Sequence, residues 1–127
     1  MTRRGRGDGG QAAVELVLVL PLVLVVALAA LQVALVARDQ VLVLHAAREG
    51  ARQGAVTADD RSVVSVASGA TSLDARRLSA STERDDGRGS VAVTVRYRAP
   101  TEVPLVGALV GDVFLKAAVT MRSELER

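Results

Sequence analysis

The sequence predicts a membrane-anchored α+β chain: a long N-terminal transmembrane helix extending outside the membrane, a second short helix, and a small antiparallel sheet of about three strands. An uncharged apolar run of 22 residues, 16–37, is followed by helical periodicity to about residue 54. The last third alternates apolar and polar residues, as half-buried strands do. The predicted parts are a basic leader (1–10), the transmembrane helix (11–37), its extension (38–56) and a small extracytoplasmic α+β domain (57–127).

The apolar run is long enough to cross a membrane. A helix of its length extends about 33 Å, against a hydrocarbon core of about 30 Å. A removed secretory signal, with an apolar core of about 7–15 residues, fits this run less well. The positive-inside rule gives a slight preference for a cytoplasmic N-terminus and an extracytoplasmic C-terminal domain, and the short tail supports it. The basic residues on the two sides of the run are Arg3, Arg4 and Arg6, then Arg38, Arg48 and Arg52.

Composition argues against several classes of function. The chain has 127 residues, no cysteine and one histidine, His45, so cysteine chemistry is absent and a histidine cluster cannot form. The chain has 16 basic and 14 acidic residues, and aromatic residues make up 2% of it. A nucleic-acid-binding surface would need a larger excess of basic residues and more aromatic residues for stacking. No nucleophile or paired-acid pattern stands out. We therefore expect a protein that is not an enzyme and has no cofactor, no metal and no nucleic-acid partner.

Three residues at the start of the apolar helix form a candidate processing and assembly site. Gly10 is the last residue of the polar tail, Gln11 is the first residue of the mainly apolar segment that follows, and Glu15 lies directly before the uncharged run. This spacing resembles the type IV prepilin pattern, in which a membrane aspartyl peptidase cuts after the glycine. The cut would free an α-amino group on Gln11. The Glu15 carboxylate of a neighbouring subunit could pair with that amine, which would offset its burial and fix the axial register.

Plainer explanations of the same residues remain open. The chain could be an uncleaved signal anchor. Glu15 would then mark the cytoplasmic edge of the helix, stabilised by the dipole of the helix N-terminus.

The predicted helix extension carries small residues four apart: Ala46, Gly50 and Gly54. They favour close packing of the helix on its own domain, and a partner helix is the alternative. Beyond them, Thr57 and Asp60 have the spacing of a capping box for a second helix that ends near residues 70–74.

The remaining sequence predicts an antiparallel sheet. A weak strand covers 76–84, and a turn follows at 86–89. A strand at 90–98 places Val91, Val93, Val95 and Tyr97 on one face, and a strand at 112–124 places Val113, Leu115, Ala117, Val119 and Met121 inward. The apolar loop 99–111 is expected either to cap the core or to form a docking patch.

The chain resembles a known family over nearly its whole length. The segment "GGQAAVELVLVLPLVLVVALAALQVALVARDQVLVLHAAREGARQGAV" (9–56) looks like the TadE-like family of the tight-adherence (Flp-type) pilus system. Its part "AAREGARQGAV" (46–56), directly after the membrane helix, and the ending "LKAAVTMRSELE" (115–126) are characteristic of that family. The resemblance implies a pilin-like fold and a pseudopilin-like accessory (minor pilin) protein, without catalysis. Its implied partners are membrane lipid, a prepilin peptidase, and other pilin-like subunits or assembly proteins.

The chain departs from major pilins of this kind in two ways. Major pilins often have an aromatic residue after the cut, where this chain has Gln11. They are also much shorter, so the additional domain favours an accessory role. The alternative is an uncleaved single-pass membrane-anchored binding or adaptor protein.

Overall fold

A computed structural model describes residues 8–125. The predicted α+β architecture is confirmed, with a long N-terminal helix, a short second helix and a three-stranded antiparallel sheet. The elements in chain order are α1 (Asp8–Val56), α2 (Asp60–Gly69), β1 (Leu78–Asp85), β2 (Ser90–Ala99), α3 (Val106–Val110) and β3 (Val113–Arg122). The sheet order is β1-β2-β3, and both strand pairs are antiparallel.

Helix α1 joins the predicted membrane span and its extension without a break. Its 49 residues correspond to a length of about 74 Å. Pro21 lies inside the helix, where its ring removes one backbone hydrogen bond. Helix α1 begins at Asp8, so Gly9 and Gly10 are helical, although their conformational freedom led us to expect them outside it. Extending an existing helix fixes one residue per hydrogen bond gained, and this offsets the poor helix propensity of glycine. Arg3, Arg4 and Arg6 of the predicted leader lie outside the described residues.

The C-terminal half of α1 packs against the inner face of the sheet. Its buried residues recur with helical spacing: Val43, Ala46, Ala47, Gly50, Ala51, Gly54 and Ala55. A Cβ placed on Gly50 would lie 3.0 Å from both Ala67 Cβ and Val93 Cγ1, and one on Gly54 would lie 3.1 Å from Val91 Cγ2. The small-residue stripe therefore packs on its own domain, as favoured from the sequence.

The predicted alternation of β2 and β3 is confirmed. Val91, Val93, Val95 and Tyr97 are buried against α1, as are Leu115 and Ala117 of β3. The ends of the outer strands differ from prediction. Strand β1 begins at Leu78 rather than residue 76, because Asp74 accepts the backbone N–H groups of Arg76 and Arg77 in a turn. Strand β3 ends at Arg122 rather than residue 124, because the Glu124 N–H turns away to donate to the Ala55 carbonyl at 2.7 Å.

The capping box predicted for α2 is wrong. Asp59 caps this helix, accepting the Arg61 N–H on its carboxylate at 3.1 Å. The Thr57 hydroxyl instead accepts the Asp59 N–H, forming a local turn before the helix. Helix α2 ends at Gly69, just before the predicted range, and buries Val63 and Ala67.

Arg84 ties β1 to the junction between the two helices. Its guanidinium donates to the carbonyls of Gly54 (3.0 Å) and Thr57 (2.8 Å) and to the Asp60 carboxylate at 3.0–3.1 Å. A cation at the C-terminal end of α1 also complements the helix dipole. The sheet therefore holds the end of α1 through both packing and charge.

Gly50→Leu tests the close approach of α1 to the sheet. Because the added side chain would meet Ala67 and Val93 at once, we expect a loss of stability of about 1–3 kcal/mol or more. The measurement is thermal and denaturant unfolding of the full chain in detergent. Gly69→Leu is the matched control, because a Cβ there meets nothing within 4 Å. Equal stability of the two variants would contradict the packing described.

Candidate functional site

The predicted processing residues lie together on the first turns of α1. Gly10, Gln11 and Glu15 are all exposed, and a Cβ on Gly10 would meet nothing within 4 Å. The Gln11 side-chain amide donates to the Glu15 carboxylate at 3.2 Å, one helical turn away. The residues on both sides of the Gly10–Gln11 peptide bond are therefore exposed, and the carboxylate of Glu15 contacts the Gln11 side chain.

Glu15 stands among exposed apolar residues. Its neighbours Val14, Leu16 and Val17 project from the helix without contacting the domain. Within residues 8–125 the carboxylate has no cationic partner. The N-terminus of α1 lies about two turns away, and a helix dipole acts mainly within the first turn. With the helix beginning at Asp8, the dipole does little to stabilise Glu15, which leaves an incompletely neutralised charge at the edge of an apolar surface.

The segment that follows is a candidate membrane span by length and composition. Its most apolar 18-residue window has a mean hydropathy of 2.9, and none of that window is buried within the protein. The side chains from Val14 to Val26 point away from any packed core, and burial begins only toward Leu28 and Gln32. A soluble core helix would be covered by its own domain, whereas this segment is bare.

A polar recess lies where the apolar segment ends. It is lined by Arg38, Asp39, Asp74, Arg77, Tyr97 and Glu102, among others. Burial raises the pKa of Asp39; Arg38 opposes this effect and Glu102 adds to it. Burial also raises the pKa of Tyr97, reinforced by the Asp39 charge. Asp112, outside the recess, lies 3.3 Å from Arg98 Nε and 3.6 Å from Nη1 of the recess residue Arg77. Sequence inspection missed this recess, because its residues are far apart along the chain.

An apolar recess lies between α1 and the β2–β3 loop. It is lined by Ala29, Gln32, Val33, Val36, Val106, Val110 and Val113. Gln32 is 6% exposed, and its side-chain oxygen has no hydrogen-bond partner among the described residues. The sequence showed Gln32 as a polar residue in an apolar run but gave no sign that the loop covers it.

No metal-binding group is evident in residues 8–125, where no three His, Asp or Glu side chains cluster suitably. His45, the one histidine, is exposed on α1. The features of the described chain are therefore a bare apolar helix with a carboxylate near its start, and a small domain built on the same helix.

This arrangement defines a class of protein with one candidate membrane-spanning helix that carries an α+β domain at its C-terminal end. Residues 10–52 match the family model described as TadE-like protein, which confirms the resemblance over this segment. The match associates the chain with the Tad pilus system. It includes Gly10, Gln11 and Glu15, and it ends at Arg52, so Gly54 of the small-residue stripe lies outside it. The resemblance at residues 115–126 also lies outside it. No curated protein and no solved structure matches the chain.

Asp39→Asn tests the electrostatics of the polar recess. Burial raises the pKa of Asp39 in the folded state, so the folded chain binds the Asp39 proton more tightly than the unfolded chain does. The resulting stability is fully present at pH values below the Asp39 pKa of the unfolded chain. That stability is lost as pH rises through the higher pKa of the folded chain. We expect Asp39→Asn to remove this loss and to stabilise the full chain at neutral pH, as measured by thermal unfolding from acidic to neutral pH. Asp86→Asn, in the exposed β1–β2 turn, is the control. A lower melting temperature for Asp39→Asn at neutral pH would contradict the assignment.

Proposed function

We propose that this protein is a pseudopilin-like accessory subunit, a minor pilin, of Tad pilus assembly, and that a prepilin peptidase processes it between Gly10 and Gln11. In this proposal the protein acts by assembly and not by catalysis. The N-terminus lies in the cytoplasm, α1 crosses the cell membrane, and the C-terminal domain lies outside it. The observation that carries the proposal is Glu15, a carboxylate without a cationic partner among the described residues, inside the segment that matches the TadE-like family.

The cleavage step is a peptide hydrolysis with a defined chemical result. Water adds across the Gly10–Gln11 bond, which leaves a carboxylate on Gly10 and a free amine on Gln11. The bond lies in helical backbone, so a peptidase that needs an extended substrate must unwind it. Gly9 and Gly10 lower the cost of unwinding, because each glycine disfavours the helix by about 1 kcal/mol relative to alanine.

The new amine supplies the charge that Glu15 lacks. In the membrane an unpaired carboxylate costs about 2.5–3.5 kcal/mol at the bilayer centre and less near the interface. An adjacent subunit can place its Gln11 amine against this carboxylate, so that each subunit is held at a fixed height relative to the next. The bare apolar sides of α1, including Leu16, Leu20 and Val23, are available for the accompanying helix–helix contact.

The alternative function is that of an uncleaved membrane-anchored binding or adaptor protein. The observation favouring it is the continuous helix across Gly9, Gly10 and Gln11, which is not the extended conformation that peptidases bind. In this alternative the Gln11 side chain remains the partner of Glu15, and the domain serves as the binding unit.

Gly10→Val tests processing. Because a branched side chain obstructs close approach of the peptidase and replaces the flexible residue before the cut, we expect the variant to keep residues 1–10. The measurement is the intact mass of the protein extracted from cells that carry the peptidase. Gly9→Val is the matched control: it adds the same side chain at an equally open position and changes the cost of unwinding in the same way, but it keeps glycine before the cut, so it should be cleaved. An unmodified protein that retains Met1 in those cells would exclude the processing proposal and leave the adaptor.

Glu15→Gln tests the role of the carboxylate in assembly. The change keeps the shape of the side chain and removes its charge, so cleavage should proceed while the partner's amine loses its counter-ion. We expect at least a tenfold decrease in crosslinked complexes with other pilus subunits, since about 1.4 kcal/mol corresponds to tenfold. Glu49→Gln, on the same helix within the domain, is the control. Unchanged crosslinking in Glu15→Gln would favour the adaptor function.

A further inference from the structure

The β2–β3 loop and the start of β3 carry exposed apolar side chains. Leu105, Leu109, Val110 and Phe114, here called the apolar tip, are 62%, 86%, 60% and 81% exposed. Phe114 is the one phenylalanine of the chain. Several large apolar residues exposed within one short stretch of a small domain indicate contact with something other than water.

Helix α3, which carries Leu109 and Val110 of the apolar tip, lies beside the predicted membrane span. Helix α3 contacts α1, and Val106 and Val110 line the apolar recess with Ala29, Gln32 and Val33 of the uncharged run 16–37. Gln32 is six residues before Arg38, the first charged residue after that run, which corresponds to about 9 Å along the helix. Interfacial apolar faces enter a bilayer by about 5–10 Å. A membrane that covers the span of α1 therefore also reaches the tip.

The loop that bears the tip is fixed by its own contacts. The Thr101 hydroxyl donates to the Gly111 carbonyl, and the Gly107 N–H donates to the Val103 carbonyl at 3.0 Å. A Cβ on Gly107 would lie 2.8 Å from the Thr101 carbonyl oxygen, so this close approach requires glycine. Leu105 has a φ of 68°, a conformation that leucine rarely adopts. The loop thus holds Leu105 outward at a cost in backbone energy.

Charged residues border the tip. Asp112 lies along the chain between Val110 and Phe114 and pairs with Arg77 and Arg98, while Lys116 is exposed two residues beyond Phe114 on β3. Apolar side chains with charged residues close beside them suit the boundary between acyl chains and headgroups at a membrane surface.

We propose that the apolar tip inserts among lipid acyl chains in the outer leaflet, so that the domain rests on the membrane beside its own anchor helix. This inference rests on the membrane placement of α1 in the proposed function, but it does not depend on cleavage or pilus assembly. The inserted loop shields Gln32, the polar side chain of the outer half of the span, from lipid. The orientation of the domain is then set at two points, α1 and the tip.

Fluorescent labels on single cysteines test the insertion, since the natural chain contains no cysteine. The full chain is labelled after Leu109→Cys or Phe114→Cys, reconstituted in phosphatidylcholine vesicles, and exposed to nitroxide quenchers on the acyl chains or to iodide in water. Val25→Cys, in the span, reports membrane placement. Thr120→Cys, exposed on the same strand as Phe114 and about 20 Å further along it, reports the solvated domain.

The inference predicts that labels at 109 and 114 lose fluorescence to the acyl-chain quencher as the label at 25 does, and resist iodide, whereas the label at 120 is quenched by iodide alone. Quenching at 25 together with iodide quenching at 109 and 114 would overturn the insertion and leave the anchor intact. A second copy of the chain could cover the tip instead of lipid. In that case the labels at 109 and 114 would be protected from both quenchers, and dilution into excess lipid would remove this protection. That result would overturn the insertion. An absence of lipid quenching at 25 would overturn the membrane placement and the insertion together.

Discussion

The structure depends on the packing of one face of α1 against the sheet. Because Gly50 and Gly54 carry no side chain, the helix lies directly on Val91, Val93 and Ala67. The same helix continues without interruption into the bare apolar segment. The candidate membrane span and the central core element of the domain are therefore one piece of secondary structure. A small domain without disulfides gains a long helix to pack on, and the candidate span gains a fixed attachment.

This continuity places Glu15 and the apolar tip, the two features on which the proposals rest, at defined positions relative to each other along α1. Glu15 and Gln32 are 17 residues apart, or about 26 Å along the helix, which is close to the thickness of a hydrocarbon core. Glu15 would thus lie near the inner boundary, and the apolar tip beside Gln32 near the outer one. A helix held at both membrane boundaries, by Glu15 and by the apolar tip, can move little along the membrane normal. An axial position that pairing at Glu15 fixes between subunits would therefore also fix the height of the domain.

Periodicity and spacing were sufficient to predict the fold, because each relevant signal is local. The β2 alternation and the small-residue stripe each depend on residues a few positions apart. Interactions between distant residues could not be predicted in this way. Arg84, for example, contacts the end of α1 thirty residues earlier. The wrong cap of α2 is a different case, because Asp59 and Thr57 are two residues apart and both are suitable cap residues, so the local sequence did not separate them. The Gly10, Gln11 and Glu15 pattern was visible because it is sequential, whereas the loop over Gln32 joins segments that only folding brings together.

The claim that the anchor and the domain share one rigid helix is tested most directly by a distance measured across their boundary. Spin labels attached after Leu24→Cys and His45→Cys, both exposed on α1, are 21 residues apart, and their backbones should be separated by about 32 Å. In the full chain in bilayers, double electron–electron resonance should give one narrow distribution near this distance, extended only by the length of the labels. A broad distribution, or a main distance much shorter than this, would show a hinge between the membrane segment and the domain and would contradict the account.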